Sequence, residues 1–534
     1  MTFFRQGQWV ALCSVALSMA FIAPAVATPV LPTNLSPLTY FAAGDLIVST
    51  VSLQASAGSA PNFGLDTASP ITLTELQLGA GGTSATGVAQ LTLPQTQNGA
   101  NSPISGEYGS ASEGILQLSA NGQYLTIMGY GVNANTFNTA PSTVYGTAAL
   151  GQTTSLTGQS ATTVPRVVAL IGANGSVDTT TALTGVFNMN NPRSAATVDG
   201  SAFYVSGQGQ TGDGTGGVFY ALKGATTATA INANTTTPSG TPNGTASPLT
   251  ATETRVAEIV NNGGGNKLYV SRDFGAKGSP NDTADVRTFT NSTGGLPTSA
   301  SGLVANRVIP GNTNSSGGNT GSIDVSNATD NGVNHARNGQ APGHTGNTFV
   351  YLSPEQFFFA NPYTLYIADS GSPKNGSNAA GLGEGGLQKW VNSAPDGSGT
   401  WTLEYDMVDD LGLTAQSNAN SATPTAAGVT GLFGLTGEDI DVNGVEEAEL
   451  FVTTYGLNEL SSSDLFEVTD IIGNTNYSVG DGEAFNLLFS APPDTLIRGV
   501  AFAPIPEPSA FAIFGAGILG LFGLGLMRKR SRAI

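Results

Sequence analysis

Short clusters of β-branched and apolar residues, each closed off by glycine or a polar residue, recur along most of the chain. The first, Asp45 to Thr50 with Gly44 in front of it, reads as a strand, because such side chains fit a pleated, half-buried surface. The same signature returns at Tyr124–Met128 before Gly129, Phe203–Ser206 before Gly207, Leu268–Ser271, Leu365–Ala368 before Asp369, and Leu450–Thr453. Two longer apolar runs stand apart, Trp9 to Ile22 near the start and Ser509 to Met527 near the end.

Other strands sit at fixed places around these. Arg193–Ala196 precedes Phe203 and Arg255–Ala257 precedes Leu268, while Gly217–Tyr220, Gly386–Trp390 and Trp401–Tyr405 supply third and fourth strands. Four short antiparallel strands per repeated unit predict an all-β β-propeller. The leading Leu or Phe of successive units, at 46, 125, 203, 268, 365 and 450, are 65 to 97 residues apart, long for a blade. The excess falls in Asn, Gly, Ser and Thr stretches such as Thr226–Pro248 and Gly311–Asn347. These bury too little apolar surface to order themselves and predict long, mobile loops. The body ends on a first strand, Arg498–Ala503, with no second, and opens at Leu46 on a second strand with no first. Shared in one blade, the N- and C-terminal strands would close six blades and leave no free sheet edge. Seven blades stay open, since divergent units hide easily, as does a β-sandwich or a set of small β domains. The proline-rich Leu31–Pro37 reads as an extended leader.

Arg5, the apolar run after it and the small residues Ala25 and Ala27 form a secretory signal peptide, residues 1–27, for the Sec translocon. The one cysteine, Cys13, lies inside it, so the mature chain has neither disulfides nor thiolate metal sites. Residues 28–503 form the extracytoplasmic body and 504–534 a C-terminal segment. There the 19 uncharged residues from Ser509 to Met527 are, as a helix, long enough for the ~30 Å hydrocarbon layer. Arg528, Lys529, Arg530 and Arg532 behind them would stay cytoplasmic, holding the body outside.

Pro506-Glu507-Pro508, one hydrophobic span and a short basic end resemble the PEP-CTERM sorting signal of Gram-negative, biofilm-forming bacteria. The resemblance covers about thirty residues. It implies that an exosortase-type membrane protease recognises Pro506, Glu507 and Pro508, with the span a transient anchor and the basic residues its stop. A C-terminal anchor that is never cut is the alternative.

Taking away Arg5 and the four terminal basic residues carries the formal charge from −19 to −24. Such a surface repels nucleic acid and anionic lipid and leaves divalent cations and neutral glycans as partners. Asp439, Asp441, Asn443, Gly444 and Glu447 place oxygen ligands at alternate positions before a turn glycine, a Ca2+ loop pattern. It resembles the calcium loops on some propeller hairpins, with Glu447 completing the shell; a polar hairpin turn explains the same residues. Glu107 and Glu113 are near enough in sequence for an acid–base pair, and otherwise belong to a polar loop on the rim. Asp369 and Arg272, each just past a second strand, are candidates to ring a central channel. His335 and His344 lie in a polar loop with no metal-ligand spacing. No catalytic motif appears. The expected role is an exported surface or matrix protein that binds exopolysaccharide without catalysis. The alternatives are a secreted hydrolase or lactonase with a metal or carboxylate site at the channel mouth, and a passive surface-layer protein.

Overall fold

The computed structural model describes residues 29–54, 67–110, 112–139, 150, 164–188, 190–209, 213–233, 254–261, 263–274, 283–309, 322–324, 349–371, 385–408, 410–413, 429–456, 463–475 and 483–506. Within them six antiparallel sheets stand side by side as the blades of a propeller, with one short helix, Ala134–Thr139. The six stretches that open on Leu46, Leu125, Phe203, Leu268, Leu365 and Leu450 each lie in the second strand of a blade. Those positions are fully or almost fully buried.

From the innermost strand outward, blade 1 is Thr495–Phe502, Leu46–Ser52, Thr72–Leu78 and Ala85–Thr92. Its register runs Leu46↔Phe502 and Ile47↔Ala501, so it mixes one C-terminal strand with three N-terminal ones. In blade 2 the innermost strand is split into Ser105–Glu107 and Gln117–Leu118, followed by Tyr124–Tyr130, Arg166–Gly172 and Val177–Leu183. Blade 3 is Pro192–Ala196, Ala202–Gly207, Gly217–Leu222 and Thr229–Ala233. Blade 4 is Thr254–Asn261, Asn266–Phe274, Thr283–Thr290 and Val304–Ile309. Blade 5 is Pro354–Asn361, Thr364–Asp369, Gly386–Asn392 and Trp401–Met407. Blade 6 is Val429–Val442, Val445–Gly456, Asp464–Ile471 and Asn486–Ser490. A two-stranded ribbon, Ser322–Asp324 with Phe349–Tyr351, stands outside the blades.

Strands covered on both faces read as unbroken apolar runs, which is why the second strands were conspicuous. Each face packs on a neighbouring blade through its own apolar cluster. Phe203 and Val205 meet Val168 and Leu170 of blade 2, for example, while Leu46 and Val48 meet Phe451 and Leu465 of blade 6. Each fully buried side chain of this size contributes about 1.5–3 kcal/mol, so the stability is spread over these contacts between blades.

The leader is more than a spacer. Leu31 N–H donates to Ser490 O at 2.8 Å on the outer edge of blade 6, and Leu38 N–H to Gln90 O at 2.7 Å on the outer edge of blade 1. Phe41 N–H donates to Ala173 O at 2.8 Å in blade 2. Leu31 and Phe41 are buried, so the segment covers open strand edges that would otherwise pair with other chains.

In an antiparallel blade the connections from outermost to next innermost strand, and from second to third, share one face. The long polar stretches fall in such connections: 234–253 between blades 3 and 4, and 310–348, apart from the ribbon strand at 322–324, between blades 4 and 5. The loops expected over Thr226–Pro248 and Gly311–Asn347 lie mostly outside the described residues.

Candidate functional site

In five blades the innermost strand bulges against its partner, by one extra residue in blades 1, 3 and 4 and by one at each of two places in blades 5 and 6. The register passes from Thr254↔Arg272 to Ala257↔Val270 in blade 4, and shifts likewise in blades 1, 3, 5 and 6. Such a bulge twists the strand and re-aims its side chains, here toward the axis. A hydroxyl on the second strand meets the bulge in blades 1, 3, 4 and 6, whereas blade 5 has Ala368 there. Ser271 Oγ accepts Val256 N–H at 3.0 Å and donates to Glu355 O of the next blade at 2.7 Å. Ser49 Oγ accepts Gly499 N–H and donates to Gly114 O, and Ser206 Oγ donates to Arg255 O, all within 3 Å. In blade 2 the bulge grows into the loop 108–116, between the two pieces of the innermost strand.

The axis is packed. Ile115 of that loop and Val256 and Phe433, from the innermost strands of blades 4 and 6, form a buried cluster with Tyr455. Gln117 Nε2 donates to Ala257 O at 3.0 Å. Gln356 spans blades, donating to Leu116 O at 3.4 Å and accepting Leu435 N–H at 3.0 Å.

Beside this plug runs a collar of charge. Arg255 pairs with Glu355 at 2.5 Å and with Asp273 at 3.2 Å, and Ser353 Oγ donates to Asp273 at 2.5 Å. Asp369 accepts the N–H of Ser353 and of Gly371 and a bond from Gln388 Nε2, each at 2.8 or 2.9 Å. Burial nonetheless holds its carboxyl well above the usual range, with Asp406 and Asp273 adding to the effect. Asp369 therefore anchors backbone within blade 5 and lines no open channel. Arg272, its counterpart in blade 4, grips Asp285 through Nε and Nη2, both at 2.8 Å.

Glu107 and Glu113 are buried, 1% and 4% exposed, so a polar rim loop does not describe them. The expanded bulge folds inward because its charges find partners there. Tyr130 OH donates to Glu113, which also accepts Glu107 N–H at 3.3 Å. The Arg166 guanidinium stacks 4.8 Å above the Tyr130 ring. Arg498 donates to Tyr108 O at 3.0 Å. Burial pushes the Glu113 carboxyl up to about 7, against the pull of Tyr130, the Glu107 amide, Arg498 and Arg166. Both glutamates line a cavity of about 10 Å³ with Ser49, Gly114 and Arg498, the room one water needs. Such a group can store a proton; a sugar ring does not fit.

The acidic motif at 439–447 is a hairpin. Asn443 and Gly444, with φ of 58° and 86°, make the two-residue turn between Val442 and Val445, the geometry an Asn-Gly pair favours. Asp441 Oδ1 accepts Gly444 N–H at 2.7 Å. Asp441 stands opposite Glu446, and Glu447 opposite Ile440. Since directly paired residues share a face and neighbours alternate, Glu447 points away from Asp439 and Asp441. Among the described residues no three His, Cys, Asp or Glu side chains are placed to hold a metal ion, and no helix is long and apolar enough to cross a membrane. Pro506 is exposed, just past Ile505, whose N–H donates to Gly122 O at 2.7 Å. Ala25, Ala27, His335, His344, Glu507, Pro508, the run 509–527, Arg528, Lys529, Arg530 and Arg532 lie outside the described residues.

Two buried charge clusters were not anticipated. Lys389 Nζ meets Asp470 at 2.8 Å and Tyr405 OH at 2.9 Å, and both tyrosines Tyr366 and Tyr405 donate to Asp470. Asp285 gathers Arg272, Arg287 and Arg307. The available signal was charge inside a strand covered on both faces, as in Gln388-Lys389-Trp390 and Asp285-Val286-Arg287. No family model matches the chain, and no curated protein matches its sequence.

Proposed function

We propose that this is an exported cell-surface or matrix protein, sorted through its PEP-CTERM-like C-terminus, whose propeller is a non-catalytic binding or structural unit associated with exopolysaccharide. The observation that carries this reading is where the body ends. Ala503 N–H donates to Asp45 O at 2.8 Å and Ile505 N–H to the Gly122 turn, on the face opposite the long polar connections. A C-terminal span attached after Pro506 would hold that face toward the membrane and present the other outward. On this reading the pairing of Leu46–Ser52 with Thr495–Phe502 is the clasp that closes the ring.

The hydrolase or lactonase alternative calls for acidic groups free to act at the axis. Asp273 and Glu355 are engaged by Arg255, and Ile115, Val256 and Phe433 fill the centre, which favours a binder. Intact-mass analysis of the protein recovered from the native cell surface or medium tests the proposal. The expected species begins at Thr28 and has lost the residues beyond Pro508. Recovery from the cytosol with Met1 and Ile534 in place would overturn it.

A further inference from the structure

The connections from first to second strand and from third to fourth lie on the face where the described chain leaves at Pro506. The large apolar side chains left open to solvent gather there. Val442 and Val445 are paired beside the 443–444 turn at the tip of the blade 6 hairpin. Leu222 ends the third strand of blade 3, opposite Ala202, and Val304 begins the fourth strand of blade 4, opposite Thr290. Leu118 ends the lower piece of the innermost strand of blade 2, and Ile505 lies against Gly122 in the turn that follows it. These six are 37% to 59% exposed. Among the described residues three other large apolar side chains are as open. Tyr40 is on the same face, since its neighbour Phe41 bonds to Ala173 in the turn between the third and fourth strands of blade 2. Val88 is on the outermost strand of blade 1, and Val30 bridges to Ser490 at the opposite end of blade 6.

A single exposed leucine or valine explains nothing. Turns of four blades that all present apolar side chains on one face mark an interaction surface, and the course of the chain names what covers it. The sequence reaches the uncharged run Ser509–Met527 three residues after Pro506. At no more than about 3.6 Å per residue, the run starts within about 11 Å of Pro506. A bilayer that takes up this run lies against the same turns. Short apolar side chains at turn tips can enter the headgroup layer while the charges behind them stay in water. Asp439, Asp441, Glu446 and Glu447 stand around the 442–445 tip, and the hairpin carries no lysine or arginine, so anionic lipid is disfavoured.

We propose that this face docks on a bilayer of zwitterionic lipid, with Val442, Val445 and Leu222 among the side chains that enter the headgroup layer. The inference rests on the reading that residues 509–527 enter a membrane, and adds to it a second contact and a lipid class.

The test reconstitutes the full chain in phosphatidylcholine vesicles with one tryptophan added, as Val442→Trp, Leu222→Trp or Val30→Trp, and measures quenching by lipids brominated at set depths. Trp390 and Trp401 are buried in blade 5, and the signal of the unsubstituted chain is subtracted. Quenching is expected to be several-fold stronger at 442 and 222 than at 30, and to weaken at 442 when phosphatidylglycerol replaces part of the lipid at low salt. Circular dichroism establishes that each variant is folded. Equal quenching at the three positions in a chain that the vesicles retain would overturn the docking and leave the membrane run standing. A chain that the vesicles do not retain would overturn both, and quenching at 442 that grows with phosphatidylglycerol would overturn the lipid class.

Discussion

Thr453 Oγ1 donates to the carbonyl of Arg498 at 2.6 Å and receives the N–H of Gly434 at 2.8 Å. One hydroxyl thus satisfies the bulge of its own blade and ties blade 6 to blade 1. Replacing Thr453 with Val keeps the shape and strands both backbone groups. The expected loss is about 2 kcal/mol, read from urea denaturation. Thr453→Ser should stay near wild type; equal losses for the two would show that packing, not the hydroxyl, matters here.

Glu113 should make stability depend on pH. Its carboxyl, at about 7 in the fold against 4.5 in the free residue, holds a proton more tightly when folded. Its contribution is therefore full below about pH 4.5 and is lost as pH rises through about 7. Wild type is expected to lose on the order of 2 kcal/mol more than Glu113→Gln between pH 5 and 8. Denaturation curves of both proteins at the two pH values measure it, and parallel losses would refute it.

Lys389 and Asp470 share a site with no exposure on either side chain. Lys389→Met leaves Asp470 as a buried charge without its cation and should cost about 3–5 kcal/mol. Adding Asp470→Leu should return part of that loss. A double mutant less stable than either single one would mean that the two tyrosines, not the ion pair, set the energetics.

Deleting residues 29–41 removes Leu31 and Phe41 from their buried seats and bares the outer edges of blades 1 and 6. Each lost side chain should cost about 1.5–3 kcal/mol. Self-association is also expected, because free strand edges pair with one another. Thermal melting and light scattering after size-exclusion chromatography report the two effects, and a stable monomer would show that the leader covers nothing of consequence.

The second strands and the number of blades were readable because both depend on local pattern. An apolar run such as Phe203–Ser206 is buried on both faces wherever its blade stands, and its recurrence counts the blades. The hydroxyl three residues after the leading position, Ser49, Ser206, Ser271 and Thr453, was equally visible in the sequence. Its meaning was not, because the carbonyl it donates to belongs to another blade.

What residues 1–534 determine unaided is the all-β character, the strand succession and the placement of polar excess between strands, since backbone propensity and side-chain period act within a few residues. Tertiary structure alone decided the fate of the charged groups. Glu107 and Glu113 turned inward to Tyr130, Arg166 and Arg498; the acids of 439–447 parted across a ribbon; and Arg272, Arg287 and Arg307 gathered on Asp285. A charge is buried or exposed according to partners that can lie hundreds of residues away, and only the packing of blade on blade brings those partners within bonding distance.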